Sequence, residues 1–370
     1  MGTVAVIWLS AAFGTAPGTA QTVTQLETEA KLLVSDNPFL LEGENNAAAA
    51  FEFTARPEVQ VPISPTTNFD LSGEAAYRRY SNGYGDFVTG RADAAVTHRP
   101  SDFFSWDNSL SFARELPIDA LADSSDYSAD TRTVRERFQA RSRIGWTPND
   151  YTLVTGSGAW ENLRYLDSDL LSSTEAYQFE VGISRRINPY TSLGVVGRTT
   201  RTDLTGTGNL SADGVFATIS HRFSPELEAE GQLGIEWTNY DLPQSGRARL
   251  SGGVNVCYRP ELTSFCVSAS LQSEVSGLGG LQREFYAGLT AERRISERED
   301  VSATAEHRRA EIDGLGLETS TTRLSATYEH RLSPRLSAFT SADYLSRKYL
   351  SELRTEAVVV QIGLTFGLGR

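Results

Sequence analysis

The sequence contains no apolar run long enough to cross a membrane as a helix. Its one prominent apolar run, Val4 to Phe13, is much shorter than the roughly 20 residues that a transmembrane helix needs. The small residues Gly18-Thr19-Ala20 follow it, as in a signal peptide cleaved before Gln21. We therefore expect residues 1–20 to be a signal peptide, although no Lys or Arg precedes the apolar run; an ordinary buried segment is the alternative.

Basic residues are scarce relative to acidic ones. The chain has 34 Lys and Arg against 47 Asp and Glu, which gives a net charge of −13. This balance argues against a protein that binds nucleic acid, because the phosphate backbone is itself negative. An exported chain without a helical anchor is then a soluble periplasmic protein, a secreted protein or a β-barrel.

Residue sets that carry catalysis or bind metals are also missing. The cysteines lack zinc spacing, Gly156-Ser157-Gly158 lacks the full nucleophile-elbow pattern, and no glycine-rich phosphate loop occurs. We therefore expect neither an enzyme nor a cofactor or metal. Three of the four histidines, His98, His221 and His330, stand just before short turns, and we interpret them as residues of the membrane–water interface.

Alternation of apolar and polar residues is what the sequence does contain. In the last run, Ala357 to Phe366, one face carries Val358, Val360, Ile362, Leu364 and Phe366. This period of two is typical of a strand. A soluble edge strand with such a face would aggregate, whereas in a membrane barrel both edges are paired and the apolar face meets lipid. We interpret this run as the closing strand of an outer-membrane β-barrel.

Eight short turns divide the chain at regular spacing. They are Ser64-Pro65-Thr66, Arg99-Pro100-Ser101, Thr147-Pro148-Asn149, Asn188-Pro189-Tyr190, Ser224-Pro225-Glu226, Arg259-Pro260-Glu261, Ser296-Glu297-Arg298-Glu299-Asp300 and Ser333-Pro334-Arg335. Paired alternating runs lie between them, and each pair is divided by a more variable stretch, the longest being Leu116 to Asp130. This pattern predicts an antiparallel up-and-down meander with short periplasmic turns and longer extracellular loops.

The strand count follows from the same pattern. Counting back from Phe366 gives seventeen runs after Ala48, and Leu26 to Ser35 supplies one more. We therefore predict an all-β transmembrane barrel of 18 strands, an even number as in bacterial single-chain barrels. Residues 21–370 would form this single domain, surrounded by outer-membrane lipid. A 16-stranded barrel without the first hairpin, or a soluble β-sandwich, is the alternative. Pro57 predicts a bulge or a break in the second strand.

The phase of the alternation separates lipid-facing from water-facing side chains. Charged residues on the predicted lumen side are Arg135, Arg137, Arg141, Arg143, Glu228, Glu230 and Glu236. An arginine facing lipid near the midplane would cost about 2–4 kcal/mol, so the arginine column must face water. We expect the two sets to face each other across or around a pore, or simply to keep the lumen wet. The runs Tyr151 to Arg164 and Ser192 to Thr202 have mixed phases and resist assignment.

The two cysteines, Cys257 and Cys266, flank the turn at residues 260–263. If this turn is a four-residue hairpin loop, Arg259 pairs with Ser264 and the cysteines lie directly opposite each other on the lumen side. In an oxidising compartment this register predicts a disulfide. Two free buried thiols are the alternative.

A further pattern lies at Ser35-Asp36-Asn37-Pro38-Phe39-Leu40, after the first strand. Together with the run Asn68 to Tyr80 and the turns that begin at Ser224 and Ser333, it resembles the outer-membrane β-barrel porins associated with exopolysaccharide and exosortase loci of Gram-negative bacteria. The resemblance spans most of Leu26 to Phe366. It implies an outer-membrane barrel that moves or assembles a surface polysaccharide together with a periplasmic polysaccharide-export protein. No catalytic residues carry over.

Three functions follow as hypotheses. A barrel of about eighteen strands encloses water unless loops plug it, so the first hypothesis is a polar-lined pore for the export or assembly of a surface polysaccharide. The second is a general diffusion porin. The third is a non-conducting structural barrel whose outer loops, such as Leu116 to Asp130, contact the cell-surface layer.

Overall fold

The computed structural model describes residues 22–41, 47–116, 118, 133–166, 173–204, 208–240, 247–275, 281–312, 317–349 and 353–369. None of the helical residues among them forms a helix long and apolar enough to cross a membrane. The predicted signal peptide, residues 1–20, and nearly all of the predicted loop from Leu116 to Asp130 lie outside these ranges. The strands are β1 Val23–Ser35, β2 Ala48–Ser64, β3 Thr67–Tyr80, β4 Asp86–Ser101, β5 Phe104–Glu115, β6 Arg135–Asn149, β7 Thr152–Tyr165, β8 Thr174–Asn188, β9 Thr191–Leu204, β10 Gly208–Arg222, β11 Leu227–Tyr240, β12 Arg247–Tyr258, β13 Thr263–Val275, β14 Leu281–Ser296, β15 Glu299–Ile312, β16 Leu317–Ser333, β17 Leu336–Tyr349 and β18 Leu353–Gly369.

These strands form one closed antiparallel sheet. Each strand pairs with the next along the chain, and β1 pairs with β18 to complete the barrel. At this seam Ala30 lies opposite Leu364, and Thr28 lies opposite Phe366. The predicted 18-stranded up-and-down barrel is thus confirmed. The first hairpin belongs to the wall, which excludes the 16-stranded alternative.

The two faces of each strand meet different surroundings. On β18, Val358, Ile362 and Phe366 point outward and are 40 % or more exposed on the outer surface, whereas Ala357 points inward and is buried. Similar apolar residues at alternate positions cover the outside of the other strands, among them Phe51, Leu110, Phe179, Leu233, Val254 and Leu324. The outer surface is therefore an apolar band of the kind that faces hydrocarbon.

Proline interrupts one ladder. The pairs between β2 and β3 include Ala55 with Ala75 and resume at Glu58 with Ser72, in the same register. Pro57 stays opposite Leu26 of β1. Because proline has no backbone N–H, it leaves a gap on the β3 side. The structure has the break that the sequence predicted and no bulge at this point.

The eight predicted turns all lie at one end of the barrel, and most of them contain the same side-chain hydrogen bond. In seven of them a Ser or Asn side chain accepts a hydrogen bond from the backbone N–H two residues later, over 2.9–3.3 Å. These acceptors are Ser64, Ser101, Asn149, Asn188, Ser224, Ser296 and Ser333. The bond replaces a backbone turn bond, which explains why Ser and Asn mark these turns in the sequence.

A second contact ties every turn to the next one. The N–H of Arg222 donates to the carbonyl of Tyr190 (2.8 Å), and the N–H of Arg259 donates to the carbonyl of Glu226 (2.7 Å). The same bond recurs around the rim, with the donors Arg99, Thr147, Arg186, Arg222, Arg259, Arg294, Arg331 and Gly367. We call this series of bonds, which runs from Thr66 to Gly367, the periplasmic belt. Its six arginines stand at lumen-facing positions of their strands.

The hairpin of β12 and β13 carries the disulfide. Cys257 and Cys266 are directly paired in the ladder, with a Cα–Cα distance of 4.1 Å and an S–S distance of 2.06 Å. Tyr258 pairs with Phe265, and the turn at residues 259–262 follows. The described part of the chain therefore holds no free thiol.

Substitutions on adjacent residues of β18 test the face assignment. Leu364→Arg would put a charge into hydrocarbon and should lower the free energy of unfolding by about 2–4 kcal/mol. Thr365→Arg, one residue further and on the lumen face, should lower it much less. Urea unfolding in phospholipid vesicles, followed by tryptophan fluorescence, measures both. Equal losses for the two variants would contradict the assignment.

Candidate functional site

The candidate functional site is the lumen of the barrel, in its extracellular half. Two cavities lie there, of about 450 and 480 Å³. The first lies against the strands from β16 through β18 and from β1 to β6, and the second lies against β6 to β13. Both are lined by cationic, anionic and neutral polar side chains, which is the composition of a wet lumen rather than of an apolar core.

Arg56 organises the wall beside the first cavity. Its Nη1 donates to Glu27 Oε1 and to Glu29 Oε2, both over 2.9 Å, and its Nε donates to Glu74 Oε2 over 2.8 Å. These carboxylates belong to β1 and β3, on either side of the arginine's own strand. One guanidinium group thereby joins three strands, because its planar donors reach several carboxylates at once.

Glu52 is the second centre of this wall. Its carboxylate is almost fully buried, accepts a bond from Lys31 Nζ over 2.8 Å and contacts Arg78 Nε. Lys31 also lies 3.2 Å from Glu29, so the two centres form one network. A buried carboxylate is tolerated when cations and hydrogen bonds compensate its charge, and here two cations do so.

The second cavity brings predicted residues of both signs together. Arg137, Arg141 and Glu236 line it, and Arg137 also lines the first cavity. Glu236 is 7 % exposed, and its Oε2 accepts no hydrogen bond from the described residues. The cavity therefore presents guanidinium groups to whatever occupies it, beside a carboxylate that is largely buried in the wall.

The other predicted residues lie elsewhere. Arg135 is buried, and its Nε donates to Glu115 Oε1 over 2.9 Å, so it supports the wall. Arg143 lies lower on β6, next to Asp107 in the ladder. Glu228 stands near the periplasmic belt, 4.0 Å from both Arg222 and Arg259. The structure therefore places Arg143, Glu228 and Glu230 outside the two cavities.

Several lining residues were missed by the sequence analysis. Arg198 of β9 and Glu161 of β7 line the second cavity, but both lie in the runs whose phase is mixed. Those runs carry Leu153 and Val196 on the lumen face and Arg164 and Thr199 on the outer face. Arg78, which lines the first cavity, lies in a regularly alternating run, so the period of two in β3 could have identified it.

The chain between β1 and β2 enters the extracellular mouth. Asn37 holds a tight turn there, because its Oδ1 accepts from the N–H of Leu41 and its Nδ2 donates to the carbonyl of Leu41, both over 2.9 Å. Phe39 is fully buried, and Leu40 is nearly so. We call residues 37–41 the mouth turn. Its Pro38 lines the first cavity.

A closed 18-stranded antiparallel barrel with an apolar outer band and a charged lumen is the fold of outer-membrane porins, and it places the chain in the bacterial outer membrane. The crystal structure of OccK2 (OpdF) from Pseudomonas aeruginosa has this fold, with a TM-score of 0.52 and 10% identity over 94% of this chain and 98% of that chain. OccK2 in complex with glucuronate gives a TM-score of 0.52 and 11% identity over the same shares. No family model and no curated protein matches the sequence.

Removing the central carboxylate of the wall tests the network. Glu52→Gln leaves Lys31 and Arg78 without their anionic partner and should lower the free energy of unfolding by about 1–3 kcal/mol. Glu58→Gln is the matched control, because Glu58 lies on the same face of β2, is only half-buried and accepts a bond from Gln60 (2.8 Å). It should change stability by less than about 0.5 kcal/mol. Urea midpoints that move equally for both variants would contradict a central role for Glu52.

Proposed function

We propose that the barrel is a diffusion pore that carries small hydrophilic solutes across the outer membrane. The observation that carries this proposal is the pair of polar-lined cavities, which have Arg137 as a common lining residue and lie inside a barrel of 18 strands. Mixed guanidinium and carboxylate walls hydrogen-bond both hydroxyl and anionic groups. Charged groups around such a path select among solutes.

Size also favours small solutes. Pro38 of the mouth turn and Ile118 line the first cavity near its extracellular end, so that the path is narrowed where a solute would enter. OccK2, which shares the fold, has been crystallised with glucuronate. That sugar acid is the first solute to test in liposome swelling with this barrel.

The other two functions have less support. Export of a surface polysaccharide with a periplasmic export protein rests on the family resemblance alone, and a narrowed mouth suits a polymer poorly. The structural barrel rests on the loop from Leu116 to Asp130, which lies mostly outside the described residues. A conducting channel in planar bilayers would favour the diffusion pore over the structural barrel.

Neutralising the lumen arginines tests the conduction path. The triple variant Arg137→Gln, Arg141→Gln and Arg143→Gln should lower the chloride-to-potassium permeability ratio, because it removes fixed positive charge beside the permeating ions. The reversal potential across a KCl gradient in planar bilayers measures this ratio.

The matched control removes the same charge from the outer surface. Arg79, Arg201 and Arg309 pair there with Asp86, Asp213 and Glu318, and their replacement by Gln should leave the permeability ratio unchanged. If the lumen variant conducts with the parent's ratio, the arginines do not line the path. A parent that inserts but never conducts would overturn the proposed function itself.

A further inference from the structure

We infer that the mouth turn, residues 37–41, is the element that sets the size limit of the pore at its extracellular mouth. The inference rests on the proposed function in that a size limit has meaning only for a path that solutes take. It adds a selecting element made of the backbone and apolar side chains of one short loop. None of the charged lumen residues belongs to it.

The mouth turn is locked by its own side chains. The two bonds between Asn37 and Leu41 close a ring, the N–H of Leu40 donates to the carbonyl of Asn37 (3.1 Å), and the N–H of Asn37 donates to Ser35 Oγ (3.2 Å). Pro38 fixes one further backbone angle inside that ring. A loop with this many local bonds has one shape rather than many, so it narrows the mouth permanently.

One side of the turn is anchored on β3 and β4. The ring of Phe39 lies 5.0 Å from that of Tyr80, 5.2 Å from that of Tyr84 and 5.7 Å from that of Phe87, between centroids. Tyr80 and Phe87 lie at the extracellular ends of β3 and β4, and their side chains point into the lumen. Tilted aromatic contacts of this spacing are favourable, and they hold the loop inside the rim.

The other side is anchored across the seam of the barrel. Leu40 packs with Ala357, and Ile118 and Leu345 join this cluster. Asp36 contributes as well, because its Oδ1 accepts from the N–H of Val358 over 2.8 Å. Leu40 holds a φ of 52°, which only a residue fixed by its surroundings keeps. The turn thus spans from β4 to β17 inside the mouth.

Two variants release the turn without touching the charged wall. Asn37→Ala removes the ring of bonds. Phe39→Ala with Leu40→Gly removes both anchors, and glycine accepts the positive φ at position 40 without strain. Asn188→Ala is the matched control, because Asn188 holds a turn at the opposite end with an equivalent bond to the N–H of Tyr190 (2.9 Å).

Conductance and solute size give the first readout. Both release variants should raise single-channel conductance and admit larger oligosaccharides in liposome swelling, whereas Asn188→Ala should match the parent. Heat-modifiable migration on gels confirms that each barrel has assembled. Unchanged conductance and an unchanged size limit in both assembled release variants would overturn the inference.

Thiol labelling gives a second readout that does not need conduction. The native cysteines are joined in a disulfide, so Thr89→Cys supplies a single reactive thiol in the wall of the first cavity. A small methanethiosulfonate should label it in the parent and in the release variants at similar rates. A bulky polyethylene-glycol maleimide, added from outside, should react severalfold faster in the release variants.

The two readouts separate the two ideas. If the parent does not conduct but its release variants react faster with the bulky reagent, the diffusion pore is rejected and the turn remains a constriction of the mouth. A parent that conducts, with both reagents equally fast in all variants, would retain the pore and reject the turn as its size limit.

Discussion

Hydrocarbon cannot hydrogen-bond to a peptide group, and this one constraint governs the molecule. Every N–H and C=O in the wall must find its partner within the wall, which a sheet achieves only when its first strand meets its last. The seam between β1 and β18 does this over Gln25 to Ser35. The apolar exterior, the turns at one end and the enclosed water all follow from that closure.

Closure also creates an interior in which charged side chains cost little free energy. The charged groups around Arg56 and Glu52 would strongly destabilise the barrel on its outer face, but inside they join strands β1 to β3. The same interior receives the mouth turn, whose apolar residues find aromatic and aliphatic partners just above the charged wall. Polar and apolar contacts thus occupy different depths of one lumen.

The number of strands, the turns and the direction in which each side chain faces could be predicted because they depend on residues that are neighbours in the sequence. A period of two and a Ser or Asn at seven of the eight turns are local signals, and the pairing of Cys257 with Cys266 follows from counting across one hairpin. The cavities could not be predicted from such local signals. Arg137 and Glu236 stand five strands apart, and their meeting depends on the diameter of the barrel. Likewise, residues 35–40 looked like a family signature, whereas the structure shows the tertiary contacts that this segment makes.

Because of the periplasmic belt, the two ends of the barrel should differ in how well they tolerate changes in loop length. Each turn there is bonded through its backbone to the next turn or, for the last one, to β18, so lengthening one turn would displace its neighbours. The described residues of the extracellular end carry no such continuous series of bonds. Insertions, foreign epitopes and antigenic drift are therefore expected to accumulate at the cell surface, where the immune system and bacteriophages meet the protein, while the opposite rim keeps its length.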